Sequence, residues 1–339
     1  MNDEMDVAVC RTPGDLVTER RSIPRRQSGE VLIRVRRVGV CGTDLHIYAG
    51  NQPYIEYPRI PGHELAGEVV ETDPGSAFSP GTTVCIMPYM SCGNCGACRA
   101  GKTNCCRNIQ VLGVHRDGGL AEYLSVPERF VLDAGALSLD DAAMVEFLAI
   151  GRHAVARANV QPGQRIFISG AGAIGIGTAY FAKQAGGDVT ICDMRAERLD
   201  FCRQHLGVNA LQAGPGLADQ LSDLSHGEFF DAVFDATGNK SAMEAGFGYV
   251  SHGGTYILVS IVSHEICFSD PEFHKREMTL MGSRNATLRD FDAVIAELAS
   301  GRLPAESLRT HRSTLQELPA RISEWAQPAT GVIKAIVSV

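Results

Sequence analysis

The stretch Gly39-Val40-Cys41-Gly42-Thr43-Asp44-Leu45-His46 sets a thiol, a hydroxyl, a carboxylate and an imidazole close together, and Pro61-Gly62-His63-Glu64 follows a short loop later. A thiolate and an imidazole form a borderline-soft donor pair that suits zinc, and catalytic zinc sites use three protein ligands while leaving a fourth position open. Cys41 and His63 are therefore expected to hold such a zinc. The plainer alternative is a Cys41 buried as a small hydrophobe and a His63 satisfied within a core.

A second cluster is Cys92-Gly93-Asn94-Cys95-Gly96-Ala97-Cys98, with Cys105-Cys106 returning a few residues on. Four thiolates at this spacing can close a tetrahedral structural zinc site, the metal standing in for a core that so polar a loop could not build. Cys105 and Cys106 compete for the fourth place. A redox pair would instead call for a neighbouring βαβ pattern and no third or fourth cysteine.

The third signal is Gly170-Ala171-Gly172-Ala173-Ile174-Gly175, entered from the short apolar run Ile166-Phe167-Ile168-Ser169 and followed by a helical pattern over 176–184. A second strand-like run over 188–192 ends in Asp193. Strand, glycine turn, helix, strand and acid in that order are the context that a dinucleotide fingerprint requires. The turn lets the pyrophosphate approach the backbone, and the helix amino terminus offers it unpaired N–H groups from residues such as Ala173 and Ile174. The Asp193 carboxylate suits the adenosine ribose hydroxyls and repels a 2′-phosphate, so NAD is favoured over NADP. Arg195 and Arg198 follow closely and keep NADP as the second choice, since arginine accommodates that phosphate.

The elements that must position these groups fall into two kinds. Short strand patterns over 5–10, 31–38, 68–71, 82–87, 111–115 and 120–126, broken by Gly and Pro, describe a barrel-like, β-rich first domain. A helix is expected over 140–158, with acids in its first turn and Glu146 inside its apolar stretch, where it either reaches solvent or pairs with something positive. Beyond residue 165 strands alternate with helices (198–205, 230–235, 241–249, 254–260), which makes a doubly wound parallel sheet with its ligand at the strand carboxyl ends, where Thr237 lies. After a helix over 291–300, the final strand pattern, 331–339, has no helical partner and fits best by returning to the first domain.

Composition sets the outer bounds. At 339 residues, two domains are the sensible expectation, and 45% apolar with 21% charged residues is ordinary for a globular protein. A net charge of −8 argues against a nucleic-acid partner, and the arginines of 20–26 and 34–37 read as solvated faces. The acidic start lacks the layout of a signal peptide, and no long apolar run suggests a membrane span, so a cytoplasmic protein is expected. Eleven cysteines in a reducing compartment then read as ligands or buried thiols.

Taken together, the motifs are similar in order and spacing to those of the zinc-dependent medium-chain dehydrogenases, and the resemblance covers nearly the whole chain. It implies a GroES-like catalytic domain over 1–147 with a structural-zinc lobe at 88–108, a Rossmann NAD-binding domain over 148–286, and a return of 287–339 to the catalytic domain, with the active site in the cleft between them. Within the family, Met144-Val145-Glu146-Phe147 resembles the sorbitol and L-threonine dehydrogenase branch, which implies Glu146 as a third zinc ligand, direct or through water, with Glu64 as its rival. Cys92, Cys95, Cys98 and Cys106 would be the structural set. Further stretches, Gly50-Asn51-Gln52-Pro53, Leu112-Gly113-Val114-His115 and Met281-Gly282-Ser283-Arg284 among them, look like bacterial hexonate 5-dehydrogenases of the L-galactonate or L-gulonate type.

The resemblance implies oxidation of a secondary alcohol of a sugar acid, the alternative being a polyol or L-threonine. Thr43 would carry the proton first and His46 release it, and Asp44 would orient His63. Arg284 would meet the substrate carboxylate, with His115 and Tyr48 adding hydroxyl contacts. By analogy with the family's paired Rossmann sheets, a homodimer or homotetramer is expected.

Overall fold

The first hairpin pairs β1 (Glu4–Thr12) with β2 (Asp15–Ser22). Val7, Ala8, Val9 and Cys10 of β1 are buried, whereas β2 carries charge on both faces and gives no period-two apolar signal, so it is hidden from a reading by hydrophobicity. Its arginines are tied down at the surface: Arg20 sits 3.1 Å from Asp6 and Arg21 2.8 Å from Glu19, while Arg26 just beyond lies 2.6 Å from Asp73. The structure, a computed structural model, describes residues 3–339, which divide into two units: one through Glu146 together with Thr287–Val339, the other Phe147–Ala286.

The first unit is organised on β3 (Glu30–Val40), which leads into helix α1 (Gly42–Ala49). β4 (Glu64–Glu71) runs antiparallel along one edge of β3, and β5 (Thr83–Ile86) pairs with β4. Two short strands, β6 (Tyr89–Met90) and β7 (Gln110–Val111), pair at the base of the cysteine lobe, which contains the single-turn helix α2 (Gly96–Arg99). β8 (Tyr123–Pro127) pairs with residues 30–34 of β3, and β9 (Val131–Asp133) closes on β5. Register shifts in β3 at Leu32/Ile33 and Val35/Arg37 are the bulges that let one strand serve different partners along its length.

The expected helix over 140–158 is two helices. Ser138 caps α3 (Leu139–Ala142) by accepting from the Asp141 N–H at 3.1 Å. Met144 N–H then donates back to Asp141 at 2.9 Å, a three-residue closure that ends the first helix before α4 (Val145–Ala158) begins.

The second unit is a six-stranded sheet, all pairs parallel: β10 (Arg165–Ser169), β11 (Asp188–Asp193), β12 (Asn209–Gln212), β13 (Phe230–Asp235), β14 (Val250–Leu258) and β15 (Thr279–Gly282). Their spatial order, β12-β11-β10-β13-β14-β15, reverses direction between β10 and β13, the switch point at which such sheets bind ligands. Helix α5 (Ala173–Gln184) follows β10, and Phe167, Val233 and Tyr256 sit in the core of this unit.

Within the first unit, β16 (Arg309–Thr314) pairs in parallel with β17 (Lys334–Ser338), and β17 lies antiparallel to residues 37–40 of β3. β16 is another polar strand that hydrophobic patterning does not reveal.

Candidate active site

Three strand ends meet in the first unit. Gly39 of β3 pairs with Glu64 of β4, and Val40 with Ala335 of β17, so Cys41 just past β3, His63 just before β4 and Lys334 at the start of β17 come together. A Cβ on Gly39 would stand 2.0 Å from the Glu64 carboxylate, so only glycine lets that side chain lie between the strands. The Cys41 sulfur, a His63 ring nitrogen and a Glu64 oxygen all fall within 4.8 Å of one another.

Asp44, 1% exposed, holds the two loops in place. Its carboxylate accepts from the Cys41 N–H at 2.8 Å and the Gly62 N–H at 2.9 Å, so it fastens the start of α1 to the loop that carries His63. Asp44 was expected to orient His63, but Nδ1 lies 3.7 Å from its carboxylate, beyond hydrogen-bond distance, and the two oxygens instead hold the backbone of Cys41 and Gly62. That nitrogen is buried with no hydrogen-bond partner. Burial pulls the His63 imidazole down, but the charges of Asp44 and Cys41 and a hydrogen bond with Cys41 outweigh it, so the net shift is well upward. A thiol, an imidazole whose buried Nδ1 has no partner, and a buried carboxylate, drawn this close together, fit a divalent metal.

The two acids have different partners. Lys334, 2% exposed, grips both oxygens of Glu64 at 2.6 and 2.7 Å and reaches the Val40 carbonyl at 3.4 Å. Glu146 is not among the three clustered donors; it accepts a hydrogen bond from the Tyr89 hydroxyl, and burial, with help from Glu64, pushes its carboxyl up to about 8. Neither Lys334 nor Tyr89 stood out in the sequence, since a lone lysine in an apolar strand and a tyrosine beside a cysteine lobe carry no motif.

In the lobe, Cys92, Cys95, Cys98 and Cys106 converge, with sulfur–sulfur distances of 3.5 Å for Cys95–Cys98 and Cys92–Cys106 and 4.0 Å for Cys95–Cys106. Of the two rivals, Cys106 is buried and lies in the cluster, whereas Cys105 is exposed. Backbone N–H groups of Arg107 and Cys98 pull the Cys95 thiol down to about 6, whereas burial raises Cys98 to about 11. Four thiols packed this tightly without disulfides fit a metal of soft preference.

The other residues read from the sequence stand as follows. Thr43 and His46 lie three apart on α1, hence on one helical face, with His46 exposed. Tyr48 is half-buried near the end of the same helix. His115 accepts from the Val111 N–H at 3.2 Å through Nδ1 and stacks on Tyr54, a residue without a sequence signal, at 6.1 Å between centroids. Arg284 belongs to the second unit, exposed just after β15.

At the glycine turn of that unit, Gly170 takes φ +98°, and a Cβ on Gly175 would lie 1.8 Å from the Gly170 carbonyl, so helix and strand pack through glycine. Gly172, by contrast, faces open space, with only an Arg198 nitrogen 3.7 Å from where its Cβ would be. Asp193 accepts from the Ala171 N–H at 2.7 Å and the Arg195 N–H at 2.9 Å, with Arg198 at 3.7 Å. Thr237 donates its N–H at 3.1 Å and its hydroxyl at 2.9 Å to Asp235, a fully buried acid pushed up by burial. An open glycine before a helix amino terminus, with an acid at the next strand end, fits a dinucleotide.

Comparison with known proteins agrees with both halves. Residues 27–136 match the alcohol dehydrogenase GroES-like domain, and residues 173–300 match the zinc-binding dehydrogenase family. The chain belongs to the zinc-binding alcohol dehydrogenases, oxidoreductases that use zinc and a nicotinamide dinucleotide. It is 43% identical over 310 residues to L-galactonate-5-dehydrogenase of Escherichia coli K12, covering 91% of each chain, and 30% identical to sorbitol dehydrogenase of Bacillus subtilis 168, covering 98% of this chain and 97% of that one. Among solved structures, the alcohol dehydrogenase rspB of E. coli CFT073, complexed with NADH, superposes with a TM-score of 0.92 at 27% identity over the full length of both. No helix among the described residues is long and apolar enough to cross a membrane.

Proposed function

We propose that this chain is a cytoplasmic, NAD-linked, zinc-dependent dehydrogenase that oxidises the C5 alcohol of a hexonate, L-galactonate or L-gulonate, to the keto acid. The observation that carries the substrate class is the 43% identity to L-galactonate-5-dehydrogenase across 91% of both chains. Cys41 and His63 would hold the catalytic zinc with a buried carboxylate as third donor; Glu64 lies in the donor cluster, and Glu146 waits on Tyr89. Cys92, Cys95, Cys98 and Cys106 would hold the structural zinc.

When bound, zinc lowers the pKa of an alcohol as it does that of water, and NAD accepts the hydride. The chain's own work is to position and to move the proton. Thr43 takes it first, its hydroxyl being both donor and acceptor, and His46, one turn on and exposed, releases it to solvent. Asp44 keeps Cys41 and His63 in register by holding the N–H groups of Cys41 and Gly62. Gly170, Gly172 and Gly175 open the turn for the pyrophosphate, and Asp193 receives the adenosine ribose, which favours NAD. Arg284 meets the substrate carboxylate, with Tyr48 and His115 to its hydroxyls.

The open edge of β15, with Leu280 exposed at 40%, supports pairing with a second copy to form a homodimer or homotetramer. Light scattering of wild type and Leu280→Lys reads that directly. For the activity, NADH formation across hexonates, their parent polyols and L-threonine is the test. Turnover of hexonates is expected, with Arg284→Ala raising KM for them about tenfold or more and leaving polyols nearly unchanged. Turnover of polyols or L-threonine alone would overturn the sugar-acid reading.

A further inference from the structure

The last turn of α1 carries a local device that neither the family match nor the proposed chemistry assigns. Gly50 ends the helix in the left-handed region, φ +79°, and folds the chain back on itself. Asn51 consequently meets His46 twice: its N–H donates to the His46 carbonyl at 3.0 Å, and its side-chain oxygen lies 2.8 Å from His46 Nδ1.

The turn is held from outside. The Gly14 N–H donates to the Tyr48 carbonyl at 2.7 Å and the Tyr57 hydroxyl to the Ile47 carbonyl at 2.5 Å, and a Cβ on Gly50 would stand 2.8 Å from Pro13. The backbone of Asn51 is thus fixed beside His46, and its amide oxygen, which faces the ring, is a pure acceptor. A neutral imidazole facing that oxygen must carry its proton on Nδ1, which leaves the lone pair on Nε2.

We propose that Asn51 is a positioning residue that sets the tautomer of His46, so that Nε2 is the nitrogen that receives the proton passed on by Thr43. This rests on reading His46 as the proton outlet. The balance is simple: the outgoing proton binds Nε2, and the resulting imidazolium, its Nδ1–H still on Asn51, loses the same proton to water. Without Asn51 the imidazole is free to carry its proton on Nε2, and a fraction of molecules then presents no acceptor.

The test is two-bond ¹H–¹⁵N correlation of the histidine rings in the zinc-loaded enzyme, His46→Gln serving to assign the signal. Wild type is expected to show His46 protonated at Nδ1. Asn51→Leu, which fills the space without an acceptor, should shift the ring toward the Nε2–H form and lower kcat about tenfold at unchanged KM. Asn51→Asp, which keeps the acceptor, should restore the Nδ1–H form. An Nε2–H signal in wild type overturns the proposal, even if no variant folds, and so does an Asn51→Leu spectrum identical to wild type. If the tautomers behave as stated but His46→Gln leaves kcat untouched, the outlet reading falls while the assignment of the tautomer stands.

Discussion

The two donor clusters of the first unit are built on opposite terms. In the cysteine lobe the four sulfurs meet one another and backbone N–H groups. Around Cys41 and His63, each buried acid already has a partner: Lys334 holds Glu64, and Tyr89 holds Glu146. A site of the first kind is closed and can only hold; a site of the second kind has carboxylates that can change partner, which a reaction at the metal can use.

The contrast breaks most sharply at the cysteines. Cys41→Ser should cost about 10³-fold or more in kcat/KM, from several kcal/mol of lost stabilisation, while one zinc per chain and the melting temperature are kept. Cys98→Ser should lose the other zinc and lower the melting temperature by roughly 10 °C, structural zinc being folding energy. Metal analysis beside a thermal melt separates them; identical losses in the two variants would mean that the sites are not distinct in kind.

Next comes Lys334→Met, which strands the Glu64 charge in the interior and should cost about 3–5 kcal/mol in denaturant unfolding, most of it recovered by adding Glu64→Gln. A loss that the second change does not repair would place the effect in packing. Smaller again, Tyr89→Phe leaves Glu146 without its donor and should cost about 1–3 kcal/mol in the metal-free protein. If Glu146 serves as a zinc ligand, that cost shrinks on loading with zinc, and an equal cost in both states argues for Glu64 alone.

The smallest effect lies where β16 is fastened to α3. Burial would raise Asp140, but Arg312 and Arg37, each at 2.6 Å, hold its carboxyl below the ordinary 3.8. A depressed carboxyl stabilises fully above its unfolded pKa and loses that contribution as pH falls through the folded value. Asp140→Asn should therefore cost up to about 1 kcal/mol at neutral pH, a cost that fades as pH falls below the ordinary 3.8 and through the lowered folded value, measured as unfolding against pH.

How much could be read beforehand follows the same division. That Cys41 would meet His63, that the four cysteines would converge and that the glycines would make a tight turn was legible, because groups able to share a metal or approach a phosphate recur at particular spacings. The strands of high apolar content were legible too, as was the alternation of the second unit. β2 and β16 were not, because their polar faces are stabilised by ion pairs and register, which leave no periodic trace. Lys334, Tyr89 and Asn51 were invisible for another reason: each matters through one partner that only the fold brings near. The gap at Ala143–Met144 escaped because a three-residue closure, Met144 N–H to the Asp141 carbonyl, ends the first helix with no glycine or proline to announce it.

The partnership of Glu64 and Lys334 spans 270 positions, whereas the outer cysteines of the lobe, Cys92 and Cys106, are 14 apart. During synthesis the lobe can therefore acquire its metal as soon as one short segment has emerged from the ribosome. The Cys41 site must wait for Lys334, which is made only after the whole of the second unit, Phe147–Ala286. Until β17 arrives, Glu64 has no buried cation beside it, and a metal captured there would meet a different charge balance from that of the finished enzyme. The order of translation thus builds the holding site first and the reacting site last.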